Sequence, residues 1–127
     1  MDCLESVRFQ IPMRDGLIAT INEFRRQNGI GPVEHWDARM AEFCKNHCIE
    51  MTRRGQLYHA EPCYLEGWSE AVAMCSHMAK WEDTQGCLIF DCLGTSEPHR
   101  RLLLDKNCMA YAVWSHNWMV YLTVRGR

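Results

Sequence analysis

Two stretches near the C-terminal end, CMAYAVW at 108–114 and WMVYLTV at 118–124, set the tightest limits on the fold. Both are rich in aromatic and β-branched residues, which suit a packed, pleated surface. Ser115-His116-Asn117 separates them with turn chemistry, so the pair reads as a β-hairpin. Both strands are largely apolar on both sides. A sheet built from such strands has to be covered on both faces.

The covering elements come earlier in the chain. Leu17, Ile18, Ile21 and Phe24 recur at helical spacing behind Asp15, a good N-cap, and Asn28-Gly29 closes the run, which gives a helix at 16–28. Gly31-Pro32 reads as a turn or extended link. Asp37 then caps a second helix with an apolar stripe of Met40, Ala41, Cys44, Cys48 and Met51, ended by Gly55 after Arg53-Arg54. Residues 56–68 read as a loop broken by Pro62 and Gly67, and Ser69–Met74 as the start of a short helix capped by Ser69. Residues 76–92 show no clear period. Ser96-Glu97-Pro98 opens a further helix that carries Leu102, Leu103 and Leu104. Residues 1–14 read as an N-terminal arm lying across the rest. Helices first and strands last, with both sheet faces covered, indicate an α+β chain. The expected form is a three-layer α-β-α sandwich with a central antiparallel sheet, one domain over 15–127.

Composition matters chiefly for partners and compartment. The formal net charge of −2 argues against nucleic acid held through its phosphates. The pairs Arg25-Arg26, Arg53-Arg54 and Arg100-Arg101 read as solvated helix faces. No apolar run approaches the roughly 18 residues of a membrane span. The first residues lack the pattern of a signal peptide, which leaves two compartments open: the cytoplasm, or the envelope and exterior once an export signal has been removed. Eight cysteines raise the prospect of disulfides. There is no C-x-x-C, however, and Cys44 and Cys48 suit a helix as small buried hydrophobes. Free thiols and disulfides both remain open.

Six histidines invite a search for a site. His47 falls on or beside the apolar stripe and reads as a partly buried structural group, while His35 and His116 read as solvated and His77 gives no signal. His59 stands in the loop LYHA, where functional residues concentrate, and His99 in the first turn of a short helix. Two imidazoles with a carboxylate or water make a plausible open site for zinc or copper. No H-E-x-x-H, G-x-S-x-G or glycine-rich phosphate loop is present, so no reaction can be named and a binding role is favoured over an enzymatic one.

The order of the segments resembles the CAP superfamily, which comprises cysteine-rich secretory proteins, insect venom antigens, plant pathogenesis-related proteins and bacterial SCP-like relatives. Asn22, Arg25, Gly29, Pro32, Trp36 and Asp37 fit the family's opening pattern N-x-x-R-x-x-x-G-x-x-P-x-x-W-D. GQLYHA at 55–60 is similar to its G-x-L-x-H, the segment from Glu66 to Ala73 to its G-E-N-I-A, and SEPHRRLLL at 96–104 to its S-x-G-H-R-x-N-L-L. The closing hairpin with Tyr111, Trp118 and Tyr121 resembles the family's last two strands. The resemblance covers residues 15–125 and implies an α-β-α sandwich. It also implies a cleft in which His59 and His99 take the histidine positions, Glu70 the first glutamate position, and Ser96 the place of the second glutamate, as in many bacterial-type sequences. Ser69 and Pro98 stand where the family has glycines. By this likeness the cleft would accept a divalent metal such as zinc on His59 and His99, a small apolar or lipid-like ligand, or a protein partner. A metal-assisted hydrolase and a purely structural interaction module are the other readings.

Overall fold

The computed structural model describes residues 16–61 and 67–127. Asp15, the arm at 1–14, Pro62 and Glu66 lie outside the described residues. Helix α1 covers 16–27 and closes at Gly29, whose φ of 75° is the left-handed geometry that glycine adopts freely. A two-residue strand β1 (His35–Trp36) leads into α2 (Ala38–Arg54). Asp37 caps α2 as expected, its carboxylate accepting the Met40 N–H at 2.8 Å, and Gly55 ends it with φ 63°. Strand β2 (Ser69–Ser76) follows, then α3 (Trp81–Gly86), which runs on into a π-helical turn at Cys87–Leu93. Helix α4 (Glu97–Asp105) precedes the long hairpin β3 (Cys108–His116) and β4 (Met119–Gly126).

The sheet order is β1-β3-β4-β2. β2, β4 and β3 run antiparallel, and β1 joins the far edge by a short parallel pairing, His35 opposite Cys108 and Trp36 opposite Met109. Because side chains alternate along a strand, the sheet has two apolar faces. Ala71, Ala73, Met109, Tyr111, Val113, Val120, Leu122 and Val124 face a layer made by Leu17, Ile21 and Phe24 of α1, Leu88, Ile89 and Leu93 of the π turn, and Leu102 and Leu103 of α4. Val72, Ala110, Ala112, Trp114 and Tyr121 face Met40, Cys44, Cys48 and Met51 of α2. This is the three-layer α-β-α sandwich.

Three local expectations are corrected. Ser69–Met74 is not a helix start but the first part of β2, paired with β4 over eight residues. SEAVAM is short and small-sided, so its own preference is weak, and the ladder offered by β4 decides its form. The hairpin turns at Asn117 and Trp118, both with positive φ (51° and 67°), rather than over 115–117. Arg25 is not on a solvated face. It is 1 % exposed, and its guanidinium donates to the carbonyls of Gly31, Leu103 and Lys106 and to Asn107 Oδ1, all at 2.7–2.8 Å. Its neighbour Arg26 is exposed, as expected, and pairs with Glu23.

Candidate functional site

The site forms at the β2 edge. Strand alternation places Glu70 on the α2 face of the sheet, directly opposite Arg125 of β4 in the strand register. Both side chains are fully buried, and Arg125 donates to Glu70 Oε2 at 2.9 Å. The guanidinium also lies 4.8 Å from the centre of the Phe43 ring on α2. Two charges in an apolar layer are tolerated only when paired and hydrogen-bonded. The sequence provides both conditions near the ends of neighbouring strands.

The other oxygen of Glu70 fixes the loop that follows α2. Oε1 accepts the Ala60 backbone N–H at 2.8 Å and lies 2.9 Å from His59 Nδ1. Since both carboxylate oxygens already accept, from Ala60 and from Arg125, Nδ1 must donate. The neutral His59 ring then carries its proton on Nδ1 and leaves Nε2 as the acceptor or ligand atom. The His59 side chain is 49 % exposed, so that nitrogen is reachable from solvent.

His99 comes from the first turn of α4. Burial lowers its pKa below the usual histidine value, and the nearby His59 lowers it further. It is therefore a neutral imidazole at neutral pH, which is the form that binds metal. A cleft of about 400 Å³ opens between the start of β2 and α4, with His59, Ser69, Glu70, His99, Arg101 and Asp105 in its wall. A second cleft of about 700 Å³ lies between α2 and the loop 56–61, where Phe43, His47, Glu50, Arg54 and Tyr58 line it. His59 belongs to both walls, so one imidazole stands where the two clefts meet.

Of the residues singled out in the sequence, His59, Glu70 and His99 line one cleft. Ser96 is the N-cap residue of α4, makes no side-chain capping bond and is not in that lining. His47 is buried as expected, with Nε2 2.6 Å from the Tyr58 carbonyl oxygen. Sequence reasoning missed Arg125 and the Ala60 amide. A glutamate inside an apolar strand demands a cation across the ladder, and Arg125 follows the apolar run of β4. The helical reading of residues 69–74 concealed that pairing.

The donor set limits what a metal could find here. With Glu70 occupied by Arg125, Ala60 and His59, the cleft offers two imidazoles and no third convergent protein ligand among the described residues. One group of three His, Cys, Asp or Glu donors does converge among them, all within 4.8 Å of one another, and it lies elsewhere: His35, Asp37 and Cys108.

No family model matches the sequence, and no curated protein matches it. Solved structures do match in shape. An outer surface protein from Borrelia burgdorferi superposes with a TM-score of 0.62 at 13 % identity, over 100 % of this chain and 96 % of that one. An extracellular protein containing an SCP domain, from Bacillus anthracis, gives 0.60 at 17 % identity over 87 % of this chain and 39 % of its own length. NaASP2, solved with Zn2+, gives 0.54 at 13 % identity, over 89 % and 77 %. Identities this low speak for architecture alone: this chain shares the fold of the SCP-domain protein and of NaASP2, an α-β-α sandwich.

Proposed function

We propose that the chain is a CAP-like binding module whose ligand cleft is centred on His59. One observation carries this reading. Glu70 is anchored by Arg125 and in turn sets the tautomer and orientation of His59, which keeps Nε2 available at the junction of two clefts. A carboxylate behind an imidazole is the usual way to orient a metal-binding histidine. His59 and His99 would hold a divalent cation such as zinc, which would supply a Lewis-acidic point for an anionic or carbonyl group of the ligand. The lining residues are mostly charged or polar, which favours a polar ligand or a peptide segment over a lipid-like one. Hydrolysis is less well supported, because Glu70 is engaged on both oxygens and cannot serve as a base without breaking the pair with Arg125. The extracellular and outer-surface character of two shape relatives favours a location outside the cytoplasm, and no helix among the described residues is long and apolar enough to cross a membrane.

Calorimetric titration of zinc into the reduced protein, with the His59→Ala/His99→Ala variant alongside, tests the reading. The expected result is a binding event that the double variant loses. Zinc uptake unchanged in the variant would remove the cation from the cleft and leave a metal-free binding groove.

A further inference from the structure

The opposite edge of the sheet holds a second constellation. His35 of β1 and Cys108 of β3 are register partners in the parallel pairing, so their side chains share a face. Asp37 follows His35 by two residues and returns to that same face as the N-cap of α2. Backbone bonds fix the frame: His35 N–H donates to the Asn107 carbonyl at 3.0 Å, and Asp37 N–H to the Met109 carbonyl at 2.8 Å. The imidazole nitrogen, carboxylate oxygen and thiol sulfur then lie within 4.8 Å of one another, with His35 exposed and the other two half-buried. Three donors within 4.8 Å of one another, open to solvent on one side, are close enough to draw together on a zinc-class ion with a water as the fourth ligand.

We propose that His35, Asp37 and Cys108 form a zinc-class divalent-metal site, separate from the His59 cleft. The two sites sit at opposite edges of a four-stranded sheet, three strand spacings apart, on the order of 14 Å. Asp37 accepts the Met40 N–H through Oδ1, and a carboxylate has further lone pairs to offer an ion. Of the other described thiols, Cys44, Cys48, Cys75 and Cys92 compete poorly, which leaves Cys87 as the rival that the test excludes. Burial pushes Cys48 up to about 12, and burial together with the adjacent Cys87 pushes Cys75 up to about 12 and Cys92 to about 11. Cys44 is also raised by burial.

Cobalt(II) distinguishes this site from the cleft, because only a thiolate ligand gives a sulfur-to-cobalt charge-transfer band. Cobalt is titrated into the full chain with Cys3 and Cys63 changed to Ser, and zinc is then used to displace it. The expected result is one saturable band that zinc bleaches, that survives in His59→Ala/His99→Ala, and that Cys108→Ser abolishes. His35→Ala, at an exposed position, should weaken cobalt binding by more than about tenfold. Asp37→Asn should weaken it comparably while leaving α2 intact by circular dichroism, because asparagine is an equally good N-cap. Absence of the band, its survival in Cys108→Ser, undiminished cobalt affinity in His35→Ala, or loss of the band in Cys87→Ser would overturn the proposal. Each of these outcomes is independent of whether the cleft binds zinc.

Discussion

The two edges of the sheet use carboxylates in opposite ways. At the β2 edge, Glu70 is buried beneath its own partners and acts through them: it holds Arg125, the Ala60 amide and His59, and leaves His59 to meet solvent. At the β1 edge, Asp37 sits at the rim, gives one oxygen to a helix cap and stands beside a histidine and a thiol. Residue type therefore does not decide whether an acid is a ligand or an orienter. Strand register and burial do. An acid directly across the ladder from an arginine is committed to structure, whereas one at the end of a two-residue strand stands at the rim beside other donors.

The most severe test of this contrast removes the buried cation. Arg125→Met leaves Glu70 as an uncompensated buried charge and should cost about 3–5 kcal/mol in urea unfolding. His35→Ala at the other edge should change stability by no more than about 0.5 kcal/mol. If the two variants unfolded at the same urea concentration, the structural account of Glu70 would be wrong.

Next in size is the brace behind the β1 edge. Arg25 ties α1 to Gly31 and to residues 103–107, and the Asn107 carbonyl accepts the N–H groups of Glu34 and His35. Arg25→Ala removes four charged hydrogen bonds from a buried setting and should cost about 3 kcal/mol. It should also weaken cobalt binding by His35, Asp37 and Cys108, while the zinc event lost in His59→Ala/His99→Ala is retained. Loss of both metal events together would mean that the brace supports the whole fold rather than one edge.

Much of this architecture was legible in the sequence, for reasons tied to particular residues. Asp37 and Gly55 bracket α2 because capping and left-handed closure are local chemistry. The doubly apolar strands at 108–124 announced a covered sheet. What stayed hidden depended on distant partners. Residues 69–74 became a strand only because β4 offered a ladder, and Arg25 became buried only because the carbonyls of residues 31, 103 and 106 converge on it. His59, Glu70 and His99 were found by motif order. Their division of labour needed Arg125, which no local pattern links to Glu70. The His35, Asp37 and Cys108 group was invisible because a parallel pairing between strands far apart in the chain creates it.

The mildest change concerns His99 and refines the account of the β2 edge. Its folded pKa lies below the ordinary histidine value, with burial the larger cause and His59 the smaller. Between the folded and unfolded values the unfolded chain binds more protons, so stability rises with pH. The contribution is therefore fully present above about pH 6.5 and is lost as pH falls toward the folded value. Because His99 is only half-buried and solvent screens it, the loss should be only a few tenths of a kcal/mol. His99→Gln should flatten that part of the stability profile. Imidazole titration followed by NMR should show the His99 pKa rising in His59→Ala yet staying below the ordinary value, since burial persists when the neighbouring imidazole is gone. A His99 pKa unchanged by His59→Ala would mean that the two rings do not sense one another, and a shared cation between them would lose its support.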